Sequence, residues 1–267
     1  MINATLDQLT FSFKKYPFIL LHGIALALLA SWMHPASRAY WDVLDLHVFE
    51  WLNGSLAGAV NGGTPQQTGW NALWAVLNIR VMDLMPLVLM LVLLGCRETT
   101  FDKRQALTGF VGFVILLLLM LMLRQGLDIL LEGFHWRRSG PSSQIDSAIR
   151  LSALYPDWKT KDSSSSSFPG DHASVLFTWL GYSVYRARNR WTWAVVATVL
   201  FFMLPRLVSG AHWLSDDLVG GGGVALVALA WGLYTPLLNP VNAWASQIAR
   251  QALVRCAPAL RRLKITF

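Results

Sequence analysis

Charge is scarce in this chain. Only 14% of its 267 residues are Asp, Glu, Lys or Arg, where a soluble domain carries about 25%. That shortage excludes an ordinary water-facing surface over much of the molecule. Cysteine is nearly absent as well. Cys96 and Cys256 are the only two, too few for a disulfide framework or a thiolate zinc cluster, and both read as free thiols. No repeat of fixed period occurs, which excludes a solenoid. What is abundant is apolar: 54% of the residues are hydrophobic and the mean hydropathy is +0.44. The net charge of +7 could suit nucleic acid, but the basic residues flank hydrophobic runs, so anionic lipid is the better partner and no nucleic-acid role is expected.

A membrane-spanning helix needs about 20 mostly apolar residues. Six segments approach this: 18–33, 84–96 (with 71–77 nearby), 106–123, 173–185, 191–204 and 218–238. The expectation is an all-α bundle of six transmembrane helices in a single membrane domain, 1–267, with a core over about 70–238. A first span of this length, with no convincing cleavage site after it, reads as retained rather than as a secretory signal. Placing the N-terminus in the cytoplasm and alternating puts 13 of the 22 basic residues, but only three of the 15 acids, on the cytoplasmic side. Every cytoplasmic segment then obeys the positive-inside rule. The tail, 239–267, has five basic residues and no acid, and reads as a cytoplasmic interfacial helix or a disordered basic tail. The stretch 41–52 also suits an interfacial helix. The serine run 163–167 reads as a flexible tract.

Three polar clusters interrupt the apolar pattern, and all fall on the outer side of this topology. They are Trp136-Arg137-Arg138-Ser139-Gly140-Pro141, Phe168-Pro169-Gly170-Asp171-His172, and Pro205-Arg206 followed by His212 and Asp216. Polar groups at membrane depth are costly and point to function. His212 and Asp216 are four apart, so on a helix they share a face. A carboxylate on one imidazole nitrogen would fix the tautomer and free the other nitrogen to attack. Arg206 offers a fork of donors for phosphate oxygens. Pro169-Gly170 forms a turn from which His172 opens a helix, where backbone N–H groups bind anions and an imidazole can protonate a leaving oxygen. Each cluster alone also has a plain structural reading: a packed histidine, a helix cap, a headgroup anchor. Taken together they supply what phosphoryl transfer through a phosphohistidine requires. Two histidines with sparse acids make a poor metal site, so no metal or other cofactor is expected. Arg80 and Asp83 read as a pair within the outer leaflet, either a structural bridge or a lipid contact.

These clusters resemble the three signature motifs of the type 2 phosphatidic acid phosphatase superfamily. Arg206, His212 and Asp216 match the spacing of the third motif, with Pro205 in place of its serine. Pro169-Gly170-Asp171-His172 matches the second, with its two inner residues changed. The first is degenerate: Arg138 or Arg137 stands for its arginine, Pro141 is displaced, and no lysine stands seven residues before either arginine. The Asp-containing second motif, Gly-Ala-His-Trp at 210–213, Asn78-x-Arg80-x-x-Asp83 and Thr235-Pro236-Leu237 resemble the lipid A phosphotransferase branch. The likeness is densest over 159–220. The resemblance implies transfer of phosphate from undecaprenyl diphosphate to the 1-phosphate of lipid A, in the bacterial inner membrane with a periplasmic site. It also implies His212 as nucleophile, Asp216 as its orienting acid, His172 as proton donor and then base, and Arg206 and Arg138 (less so Arg137) on the phosphoryl oxygens, aided by the backbone of Gly170 and Asp171. A lipid phosphatase acting by hydrolysis fits the same residues, and a transporter lined by polar groups stays open.

Overall fold

The computed structural model describes residues 10–57, 60–61, 64–65, 68–95, 106–186 and 191–262. Apart from a two-residue hairpin, Val60–Asn61 with Thr64–Pro65, the architecture is helical. In chain order the helices are α1 (Lys15–Met33), α2 (Pro35–Gly54), α3 (Gly69–Leu77), α4 (Leu84–Gly95), α5 (Ala106–Gly133), α6 (Leu151–Leu154), α7 (Asp171–Arg186), α8 (Trp191–Val208), α9 (Gly222–Leu233) and α10 (Asn239–Arg262). A π-helical stretch, Asp216–Gly221, runs directly into α9. Four segments are long and apolar enough to cross a membrane: Lys15–Met33, Leu107–Gly133, Trp191–Val208 and Asp216–Leu233. The chain is therefore a multi-pass membrane protein. Within the described residues α4 (12 residues) and α7 (16 residues) are shorter than these four. The basic groups Arg97, Lys103, Arg104, Arg188, Arg190 and Lys264, which bear on orientation, lie outside the described residues.

The core forms where α7 packs against α5, α8 and α9, with α1 laid along α9. Trp179 and Tyr182 of α7 are fully buried, as are Met120 of α5 and Ala228 of α9. The outward faces are apolar too. Leu26 of α1, Leu118 and Met122 of α5, and Leu200 of α8 are exposed. A helix hydrophobic all round is one whose outer solvent is lipid.

Two amphipathic helices carry their polarity inward. On α2, started by Pro35 in its first turn where a missing N–H costs nothing, Asp45, Phe49 and Asn53 are buried while Tyr40, Val43 and Trp51 are exposed. On α10, Asn242 and Ser246 are buried and Val241, Trp244 and Ile248 are exposed. Helices are present at 41–52 and over the described part of the basic tail, 239–262, and in both the exposed apolar residues stand beside exposed polar ones such as Asp42, Glu50 and Arg250.

The chain ends of α1, α5 and α8 and the starts of α4, α7 and Asp216–Leu233 fall at one end of the bundle. The polar loops gather there. Ser142 N–H bonds Gly210 O at 3.1 Å, Lys161 N–H bonds Asn78 O at 3.0 Å, and Gly170 N–H bonds Asp216 O at 3.0 Å. The first ties the end of the 136–141 cluster to the third cluster, and the last ties the second cluster to the third, both through backbone.

Candidate functional site

The fixed spacing between Arg206 and His212 is the geometry of a helix C-cap. Gly210 N–H bonds Leu207 O, and Ala211 N–H bonds Arg206 O, the two bonds of a Schellman closure. The closure needs a left-handed residue after the cap, and Gly210 supplies it with φ 77°. Arg206 thus lies in the last turn of α8, and His212 is the first residue after the closure, with its N–H 3.3 Å from Arg206 O. His212 is in a loop, so the shared helical face expected for His212 and Asp216 does not exist.

The imidazole of His212 is buried. Its Nδ1–H donates to Ser167 O at 2.8 Å, which fixes the tautomer and turns Nε2 the other way. Nε2 has no hydrogen-bond partner among the described residues. Its nearest charged neighbour is Asp171 Oδ1 at 3.3 Å. Burial pushes the His212 pKa down, but contact with Asp171 and the charges of Asp217 and Asp216 outweigh it, so the ring holds its proton above the ordinary imidazole range.

His172, in the first turn of α7, meets the same carboxylate oxygen. Its Nδ1 lies 2.9 Å from Asp171 Oδ1 and its Nε2 lies 3.1 Å from Asp83 Oδ1. That Asp83 oxygen also accepts from Arg206 Nη2 at 2.5 Å. The guanidinium is held further by Asn78 Oδ1 and Lys161 O, each 3.1 Å from Nη1. Lys161 Nζ stands 3.5 Å from the second oxygen of Asp171. Four side chains that carry or accept positive charge (His212, His172, Arg206 and Lys161) therefore converge on two carboxylates. Burial raises the Asp83 pKa, yet bonding to His172 and the Arg206 charge more than reverse this and leave it below the usual carboxylate range. A recess lined by Asp83, His172, Arg206, Leu77, Met82, Pro86, Phe202 and Pro205 reaches this cluster, between the start of α4 and the end of α8.

Several expected contacts are replaced by others. Asp216 does not bond His212: its Oδ1 accepts from Arg138 Nη1 at 2.8 Å and its Oδ2 from Trp213 N–H at 2.9 Å. Ser167 O supplies the contact expected of Asp216, because the serine run bends back past His212. That run is not a loose tract. Ser167 is fully buried and is pinned through N–H and Oγ to Arg138 O at 2.7 and 3.0 Å. Arg138 does not offer its guanidinium to the histidines. Nη1 bonds Ser215 and Asp216, Nη2 bonds Asp45 at 2.7 Å, and Trp213 covers the guanidinium at 5.0 Å. Arg137 pairs with Glu132 at the exposed end of α5. The Gly170 N–H is occupied by Asp216 O. A Cβ at Gly170 would collide with the Asp217 carboxylate, so the glycine there permits close packing rather than anion binding. Arg80 is exposed, and Asp83 pairs with Arg206 and His172 instead.

Asp45, Lys161 and Ser167 join the cluster without having stood out in the sequence, and Asn78 and Asp83 join it from the Asn78-x-Arg80-x-x-Asp83 segment, to which no site role was attached. Asp83 carried a signal, an acid among apolar residues. Lys161, ten residues before Asp171, provides a lysine although none has the first motif's spacing. Ser167 acts through its backbone carbonyl, for which no side-chain pattern exists.

The sequence model of the PAP2 superfamily matches residues 113–238, a stretch that holds Arg138, His172, Arg206, His212 and Asp216. The matched stretch is just under half of the chain. Over 230 residues it is 28% identical to the lipid A 1-diphosphate synthase of Escherichia coli strain K12, covering 84% of this chain and 90% of that one. No solved structure gives a significant match. The likeness to that synthase runs beyond the residues matched by the PAP2 model to most of the chain.

Proposed function

We propose that this protein is a lipid phosphotransferase that moves a phosphate from undecaprenyl diphosphate to the 1-phosphate of lipid A, giving lipid A 1-diphosphate and undecaprenyl phosphate. The observation that carries the reading is the meeting of His212 Nε2 and His172 Nδ1 on one anionic oxygen. In the productive complex a phosphoryl oxygen takes that place. His212 Nε2 attacks phosphorus, and Nδ1–H on Ser167 O keeps the nucleophilic nitrogen unprotonated once the ring is neutral. His172 gives a proton to the departing lipid phosphate and later removes one from the attacking group. Arg206 and Lys161 balance charge on the phosphoryl oxygens. Asp216 acts at one remove, holding the Trp213 backbone and Arg138 so that His212 is delivered to the site.

The topology that goes with this reading has six spans with both termini cytoplasmic, and this end of the bundle at the periplasmic face of the inner membrane. The shared end of the polar loops supports one face for all site residues, and the positive-inside count supports the outer one. The name of the similar E. coli protein supports lipid A as acceptor. The recess beside α4 and α8 supports entry of a lipid-borne phosphate from the bilayer. The second reading is hydrolysis of a lipid phosphate, favoured by the superfamily match itself. Purified protein given undecaprenyl diphosphate with and without lipid A separates the two. Transfer predicts a lipid A product heavier by one phosphate and little free phosphate without acceptor. Equal phosphate release in both tubes would establish hydrolysis. Replacement of His212 by Ala is expected to lower either activity at least about a thousandfold with membrane insertion unchanged. Normal activity in that variant would remove His212 from the chemistry, whereas no phosphate transfer by the wild type would admit a transporter.

A further inference from the structure

A negative charge at the centre of a phosphate site is unfavourable by Coulomb's law, yet Asp171 stands there. Its Oδ1 touches both imidazoles, at 2.9 Å from His172 Nδ1 and 3.3 Å from His212 Nε2. The same oxygen also accepts from the His172 backbone N–H at 2.8 Å. Its Oδ2 faces Lys161 Nζ at 3.5 Å. The carboxylate thus holds the position and the partners that a phosphoryl oxygen needs, and it is attached to the site by its own helix. His212 Nε2, buried and without a hydrogen bond, points at it.

We propose that Asp171 is an internal anion that closes the site to small free anions and is displaced only by a phosphate carried on a lipid. The proposal rests on the phosphoryl-transfer reading above and adds selectivity to it. In the closed state the carboxylate shields both imidazoles. When a lipid phosphate enters, Asp171 moves off the histidines and Lys161 turns to the phosphoryl oxygens. Breaking the Asp171–histidine contacts costs the same for any anion. A lipid offsets that cost by the contacts of its tail with the bundle, whereas inorganic phosphate has nothing to offset it with. The enzyme therefore avoids occupation by free phosphate without losing its lipid substrate.

Tungstate, a tetrahedral dianion with no tail, is the probe. Its affinity for the full-length protein in detergent is measured by titration calorimetry, for wild type, Asp171→Asn, Lys161→Ala and His212→Ala. Asp171→Asn removes one negative charge from beside the bound anion and is expected to bind tungstate at least about tenfold more tightly than wild type. Inorganic phosphate is expected to become a correspondingly stronger competitive inhibitor of that variant. Lys161→Ala is expected to weaken tungstate binding, and His212→Ala to do so as well. If wild type binds tungstate through His212 but Asp171→Asn binds it no more tightly, the closing role is wrong and the phosphoryl site stands. Weaker binding in Asp171→Asn would make Asp171 a positioning residue for His172 instead. If tungstate binds neither wild type nor Asp171→Asn, both the closing role and the phosphoryl site fail.

Discussion

Replacing Arg138 by Ala separates two roles that the first polar cluster could play. As a phosphate ligand, Arg138 would contribute to substrate binding and little to stability. The geometry assigns it the opposite role. Its guanidinium is 10% exposed and joins Asp45, 1% exposed, at 2.7 Å to Asp216, fully buried, at 2.8 Å. Asp45 in turn accepts from Ser215 N–H at 2.8 Å and from Ser215 Oγ at 2.6 Å. The side chain thus clamps α2 to the loop that delivers His212. Removing one member of a buried ion pair costs about 3–5 kcal/mol, because the charge left behind has no partner. Here two carboxylates lose their cation, so Arg138→Ala belongs at or above the upper end of that range, about 5 kcal/mol. Neutralising one acid at the same time, in Arg138→Met with Asp45→Asn, is expected to recover part of that loss. The assay is reversible unfolding in mixed micelles, followed with phosphate transfer per folded molecule. A stability change under about 1 kcal/mol together with a large rise in KM would refute the clamp and restore Arg138 as a substrate ligand.

Gly210→Ala is expected to destabilise by at least about 1 kcal/mol, since its φ is 77° and a Cβ would press on Phe49 and Ser142; an unchanged melting temperature would contradict the C-cap geometry. Asp83→Asn leaves Arg206 without its acid and His172 without one of its two, and is expected to lower kcat more than it raises KM; a pure KM effect would place Asp83 in binding alone. Because the His212 ring holds its proton above the ordinary imidazole range, its nucleophilic form grows as pH rises through that raised pKa. The acidic limb of kcat/KM should thus lie above about 6.5, and a limb below that value would exclude His212 as the titrating nucleophile. Vanadate is expected to inhibit and chelators to leave activity intact; a complete loss with chelator, reversed by added metal, would reveal an ion in the mechanism.

The sequence by itself determined the solvent and the helical class, and it marked the residues on which the proposed chemistry rests. Apolar runs with few charges can only be satisfied in lipid as helices, because every backbone group must then bond within its own segment. The residues His172, Arg206 and His212 stood out since charge at membrane depth is retained only for a purpose. The Arg206–His212 spacing was legible as a motif, and its cause, a Schellman closure at Gly210, is local enough to be read from the chain. Tertiary structure alone decided which acid faces which base. Asp216 and Asp83 were each assigned a partner close in sequence, His212 and Arg80. Both instead pair across the bundle, Asp216 with Arg138 and Asp83 with Arg206 and His172. An ion pair forms where packing has already removed water from both partners, and that depends on how helices far apart in sequence come together. The carbonyl of Ser167 shows the same limit: every residue has one, and only the fold chose which of them would hold His212.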